Sequence, residues 1–325
     1  MGFISKLFGT TPASPEEETR REEERRFNTL RDDGVRAMKM GEVKYAVQCL
    51  KKALELRPDD LPATGYLAEA LVLSQNFADA LPRLERLAAA CPDNVEVRLL
   101  LAQAQGKTAD FAGMRETAAA LLADCPGEPR AIYLAAEAAK GLGDDFGAIA
   151  FLTQALALRE DYAEARRLRA AVLADMGQWH EVAKDTAALV EAQPDNDEVL
   201  VMHGNALAAC GDNEAAEAAY RRALEANPFG GEAVVRLGQL YETTSRPDLA
   251  LKTYDEAIAL RPDFAEAYKL RGGVKHRLHD EAGAAEDLKK ALEIKPALAE
   301  ALDGEFSNIE NRQNETYRSL NPYGF

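Results

Sequence analysis

Tryptophan occurs once in 325 residues, and aromatic side chains together make up only 7% of the chain. β-Branched residues are also sparse while Ala and Leu dominate, a balance that favours helix over sheet. Cysteine is scarce: Cys49, Cys91, Cys125 and Cys210 form no C-x-x-C pair and no short framework. That excludes a disulfide-stapled scaffold and points to reduced, mostly buried thiols in a cytoplasmic setting. Positive charge is in short supply, with 39 Lys+Arg against 55 Asp+Glu and a net charge of −16. A chain that binds nucleic acid needs a basic footprint to displace counterions, and one that adheres broadly to anionic lipid needs the same, so both classes are set aside. Long apolar runs are missing too. The opening MGFISKLFGTTPASP has one basic residue and a stretch too short for a signal peptide or a membrane span. Gly2 fails the myristoylation pattern, because Lys6 stands where Ser or Thr is required.

What the chain has in abundance is itself. AVQCLKKALELRPDD (Ala46–Asp60) returns as ALKTYDEAIALRPDF (Ala250–Phe264), 204 residues later, which is six units of 34. With Phe27 as position 1, eight consecutive blocks of 34 run without insertion to Leu298: 27–60, 61–94, 95–128, 129–162, 163–196, 197–230, 231–264 and 265–298. Position 32 is Pro in every block but the fourth, which has Glu160. Position 8 holds only Gly or Ala, from Gly34 and Ala68 through to Gly238 and Gly272. Position 20 is small in most blocks, as at Ala46, Ala80, Ala148 and Ala250, and position 27 is Ala or Leu throughout.

Each column has a physical reason. Gly within a helix costs roughly 0.5–1 kcal/mol against Ala, so a recurring Gly at position 8 implies close helix approach, with position 20 as the expected partner. Position 15 often holds Gly (Gly41, Gly143, Gly177, Gly211), the expected turn between two helices. Proline at position 32 stops the second helix and sets the entry to the next block. The unit is therefore helix, turn, helix.

These columns and this period resemble the tetratricopeptide repeat, a unit of 34 residues. The resemblance covers Phe27 to Leu298, and local looseness is expected where it departs from the pattern, at Met114 and Ala118 in the third block and at Glu160. It implies an all-α, right-handed superhelical solenoid whose first helices line a concave wall and whose second helices form the outside. It also implies a protein-binding role.

No chemistry is legible. The four histidines (His180, His203, His276, His279) are scattered, and there is no H-E-x-x-H, phosphate loop or G-x-S-x-G. Cys91 and Cys125 share position 31, so the repeat explains their spacing. No cofactor or metal is implied, and the chain reads as a scaffold, not an enzyme.

On the wall, positions 2, 5, 9, 12 and 13 should face a partner. The apolar candidates are Val72, Leu73, Leu99, Tyr133, Val201 and Val235; the polar ones include Arg31, Gln103, Glu137, Arg167, Asn205 and Gln239. Such a mixture suits an extended or helical peptide, apolar groups anchoring it while amides pair with its backbone. Asn205 invites comparison with the two-carboxylate clamp of chaperone-binding members of the family. With Val201 beside it, and Val235 and Gln239 in the next block, that clamp is absent. One stretch, KLRGGVKHRLH, holds Lys269, Arg271, Lys275 and Arg277 with no acid. Lys269, His276 and Arg277 fall at wall positions and suggest a cationic floor for an acidic segment, or else a solvated helix end that suits the helix dipole.

Four further expectations concern the ends. Residues 1–15 form a flexible start in which Phe3, Ile4, Leu7 and Phe8 make a short apolar stripe, either a peripheral membrane or partner anchor or simply a disordered start. Residues 16–26 form a charged helix stabilised by pairs such as Glu16–Arg20. Residues 299–325 form a capping helix and tail, with Leu302, Phe306 and Ile309 on one stripe. If the wall binds no partner, the alternative is a structural assembly or membrane-peripheral subunit joined through these termini.

Overall fold

The computed structural model describes residues 14–298, which fold into sixteen α-helices and no strand among the described residues. Residues 14–298 divide between two units, one ending at Leu168 and the other starting at Arg169. In the first unit the helices are α1 (Pro15–Lys39), α2 (Val43–Leu56), α3 (Leu61–Leu73), α4 (Phe77–Ala90), α5 (Val95–Lys107), α6 (Phe111–Asp124), α7 (Pro129–Gly141) and α8 (Asp145–Leu158). The boundary falls within α9 (Ala163–Asp175). The second unit continues with α10 (Trp179–Ala192), α11 (Asp197–Ala209), α12 (Asn213–Ala226), α13 (Gly231–Thr243), α14 (Pro247–Leu260), α15 (Ala265–Arg277) and α16 (Glu281–Ile294). Odd and even helices are the first and second helices of the blocks. Among the described residues, no helix is long and apolar enough to cross a membrane.

The charged segment expected over 16–26 to lead into the first block is helical. It runs into the first helix of the first block, so α1 is 25 residues long and starts at a capping box in which Ser14 and Glu17 satisfy each other's backbone N–H groups. Its first burial comes at Phe27, which lies under the guanidinium groups of Arg57 and Arg31, 4.7 and 5.6 Å from the ring centre. The stripe at Phe3, Ile4, Leu7 and Phe8 and the cap at Leu302, Phe306 and Ile309 lie outside the described residues.

Every first helix ends in the same way. Position 15 has positive φ in all eight blocks: +71° to +85° at Gly41, Gly143, Gly177 and Gly211, and +58° to +63° at Gln75, Ala109, Ser245 and His279. The next residue returns its N–H to the carbonyl five residues back, as in Glu42 to Ala37 (2.9 Å) and Asp110 to Gln105 (2.8 Å), closing a Schellman turn. Where that next residue is Asn or Asp it also caps the second helix: Asp144 Oδ1 accepts from Gly147 N (2.9 Å) and Asp212 Oδ1 from Ala215 N (3.1 Å).

Position 8 is a point of close approach, but its main partner is position 24 rather than position 20. A Cβ placed on Gly34 would stand 2.6 Å from Leu50, one on Gly204 would stand 2.5 Å from the Tyr220 ring, and one on Gly238 would collide with the ring and hydroxyl of Tyr254. Only at Gly272 does a position-20 atom, the Ala284 carbonyl at 3.2 Å, come nearest. Volumes trade across the contact. Ala68 shares a core cluster with Leu84 and Ala136 with Leu152, and Gly34 also faces a leucine, whereas the glycines at 204 and 238 make room for tyrosines.

The two departures from the repeat pattern are absorbed. Met114 and Ala118 are both buried, the large side chain having moved one helical turn to position 20. At Glu160 the loop keeps the backbone bonds of its neighbours, Arg159 N to Ala155 O (2.9 Å) and Tyr162 N to Arg159 O (3.2 Å), without the proline.

Candidate functional site: a cleft on the first-helix wall

Within each unit, first helices of successive blocks touch one another: α1 with α3 and α5 with α7 in the first unit, α11 with α13 and α13 with α15 in the second. They form one wall. In the first unit that wall opens into a cleft of about 400 Å³ across blocks three to five. Glu96, Leu99, Gln103, Gly106 and Lys107 line it from α5, and Arg130, Tyr133 and Glu137 from α7, with Glu164 at the start of α9. These are positions 2, 5, 9, 12 and 13 of their blocks.

Two aromatic residues complete the cleft from outside those positions. Phe111 opens α6 and presses its ring against Gly141, where any side chain would displace it. Tyr162 precedes α9 and tilts its ring 42° to that of Tyr133, with 5.4 Å between centroids. Arg159 covers the Tyr162 ring at 4.3 Å. Neither Phe111 nor Tyr162 was expected at the wall, because a loop end and a second-helix start fall outside the first-helix stripe. Their signal was a bulky ring beside a helix start.

The charges are arranged unevenly. Arg130 donates to both oxygens of Glu96 (2.8 and 3.0 Å) and to Glu128 (2.9 Å), linking blocks three and four. Hydrogen bonds from Arg130 hold the Glu96 and Glu128 carboxyls below their usual range and keep the guanidinium charged. Glu137 behaves oppositely. Burial pushes its carboxyl up, and the neighbouring Tyr133 hydroxyl and Lys107 offset this only in part. Burial first and the Glu137 charge second push the Tyr133 hydroxyl up as well.

Of the sequence candidates, Leu99, Gln103, Tyr133 and Glu137 come together in this cleft. Leu99, expected as an exposed anchor, is buried: it packs beside Met114 and Leu121, forms the base of the cleft and belongs equally to the core. Val201 is corrected more strongly. It is buried in the core of the second unit with Leu237 and Tyr241, because a short β-branched side chain at position 5 is covered by the adjacent first helix, α13. Tyr133 at the same position is long enough to emerge.

The remaining candidates lie apart from the cleft. Arg31 pairs with Asp32 (2.9 Å) at a shallow depression with Pro62 and Tyr66. Val72 is half-buried and Leu73 exposed at the end of α3, and Arg167 is half-buried on α9. Asn205 accepts a hydrogen bond from the Tyr220 hydroxyl (2.8 Å), so its amide serves packing within the second unit. Val235 and Gln239, half-buried and exposed, lie on α13.

The cations expected to form a floor already have acidic partners. Arg271 is held by Asp287 (2.5 Å) and Asp255 (2.5 Å), Lys275 by Asp287 (2.8 Å) and Lys269 by Glu266 (3.6 Å). Arg277 pairs with Glu242, and His276 with Glu281 (2.9 Å). The stretch is free of acids only along the chain, since α13, α14 and α16 supply carboxylates from elsewhere. A groove of about 370 Å³ between α12, α13 and α14, lined by Leu224, Leu249, Lys252 and Leu260, was not anticipated either. Among the described residues no group of three or more His, Cys, Asp or Glu could hold a metal ion.

Two models described as tetratricopeptide repeat match the sequence, one over residues 201–263 and 235–299, the other over 37–104. Together they cover more than half of the chain. The chain belongs to the tetratricopeptide repeat family. A tetratricopeptide repeat protein from Parabacteroides merdae ATCC 43184 has a similar structure, with a TM-score of 0.57 at 14% identity, over 82% of this chain and 99% of that one. The protein YrrB, described as a TPR protein with an unusual peptide-binding site, superposes with a TM-score of 0.45 at 21% identity, over 59% of this chain and 98% of that one. Among curated proteins, cellulose synthase operon protein C of Xanthomonas axonopodis pv. citri (strain 306) is 26% identical over 94% of this chain. This chain spans only 21% of that protein's length.

Proposed function

We propose that the chain is a non-enzymatic protein-interaction scaffold that holds a peptide or helical segment of a partner protein in the cleft of its first unit. One observation carries the reading: three successive blocks direct wall positions into a single recess that has an apolar base and polar rims, five of them from block three, three from block four and one from block five. A core face would be filled. This one keeps room for one or two side chains, flanked by hydrogen-bonding groups that fix orientation, as small binding sites do. The repeat family typically supplies scaffolds rather than catalysts, and the composition arguments against nucleic acid and lipid as partners point the same way. A cytoplasmic setting is part of the proposal and rests on the four unframed thiols.

The test is capture of partners from the native cell by the full chain and by Tyr133→Ala, with helicity matched by circular dichroism. Tyr133 is the probe rather than Leu99, since a charge at Leu99 would enter the core and test folding instead. Tyr133→Ala is expected to lose the captured partner at least about tenfold, as removal of a central aromatic anchor does. Equal capture by a fully helical variant would remove the cleft from the account.

A further inference from the structure

We infer that the segment seated in this cleft presents a basic side chain next to an apolar one, the cation lying between Glu137, Glu164 and the two tyrosine rings, and the apolar group resting on Leu99 and Phe111. The inference rests on the cleft being the binding site. It follows from which charges there are already committed. Arg130 is shared between Glu96 and Glu128, so its fork is closed to an incoming carboxylate. Lys107 is then set against two further carboxylates of the lining, Glu137 and Glu164. An acidic segment would meet both of those without an open guanidinium to receive it. A cation would be attracted to both.

The rings favour the same ligand. Tyr133 and Tyr162 stand 5.4 Å apart and tilted, and both feel the fields of Glu137 and Glu164. Arg159 already covers Tyr162, so a guanidinium or ammonium over the Tyr133 ring gains cation–π attraction in addition to its ion pair, more so where water is partly excluded. The stem of an Arg or Lys is itself apolar and can lie along the cleft wall while its head reaches the carboxylates. Charge steering agrees, because the whole chain carries −16.

The probe is a random heptapeptide library selected against the full chain, with the binders measured again on Gln103→Trp, which fills the cleft from an exposed wall position, and on the double variant Glu137→Gln, Glu164→Gln. The expected result is binders in which Arg or Lys adjoins Leu, Phe or Tyr. They should be lost on Gln103→Trp and weakened at least about tenfold on the double variant. Binders that depend on the cleft but are acidic or uncharged, or that the double variant leaves unchanged, would overturn the charge assignment while leaving the cleft as a site. Binders indifferent to Gln103→Trp and Tyr133→Ala alike, or no binders, would overturn the site and the inference together.

Discussion

A hydrogen at position 8 decides how large position 24 can be. Tyr254 is fully buried, donates its hydroxyl to Glu242 (2.9 Å), and occupies the space a Cβ on Gly238 would need. Gly238→Ala gains roughly 0.5–1 kcal/mol of helix propensity. Against that, forcing a buried ring aside costs about 1–3 kcal/mol. The net expectation is a loss of about 1–2 kcal/mol in chemical denaturation. Paired with Tyr254→Leu, the same alanine should become neutral or favourable, because Ala68 with Leu84 and Ala136 with Leu152 already use that combination. A double-mutant cycle reads the coupling directly, and additive effects would refute the pairing. This is also where the sequence was half legible. A column restricted to Gly and Ala announces a close contact, but which column faces it depends on side-chain length, and two tyrosines at position 24 become informative only once the helices are placed. Val201 and Tyr133 make the same point, since they share a position yet one is buried and the other half-buried for reasons of reach.

Among the elements, the turn between paired helices is the most uniform feature of the molecule, and four glycines were enough to locate it. Left-handed backbone in the other four blocks was hidden behind Gln75, Ala109, Ser245 and His279, residues that accept the geometry without advertising it. For L-residues that conformation costs roughly 1–2 kcal/mol, which glycine avoids. Glycine adds unfolded-state entropy worth about 0.4–1 kcal/mol, so the whole of the strain is not recovered. Ala109, exposed with φ +61°, has no side-chain contact beyond a methyl to lose. Ala109→Gly should stabilise the chain by about 0.5–1 kcal/mol, measured as a higher denaturation midpoint at unchanged slope. A lower midpoint would mean that the turn is not strained. Turn sites were thus legible from backbone chemistry. The acid-free stretch at Lys269–His279 was not, because its compensating carboxylates come from three other helices, and charge balance across helices has no signature along the chain.

For the whole molecule, 16 excess negative charges act beyond any one contact. Fields of that kind change how fast a charged partner arrives more than how firmly it stays, raising association rates from about 10⁵–10⁶ toward 10⁸ M⁻¹s⁻¹ at low salt. The effect fades as the screening length shortens to about 10 Å at 0.1 M. An Arg-containing peptide bound in the cleft should therefore associate at least about tenfold more slowly at 0.2 M than at 0.01 M salt in stopped-flow mixing. Its dissociation should change far less, since the cation at Glu137 would lie against the tyrosine rings where solvent is partly excluded and screening is weak. The family and the repeat phase could be read from the sequence at this scale, because a periodic column needs no coordinates, whereas the excess charge is visible in composition and its consequence depends on where the cleft points its carboxylates. An uncharged peptide of the same length separates the two contributions: steering predicts that its association is indifferent to salt. Equal salt dependence for both peptides would place the effect in the stability of the scaffold and not in the field around it.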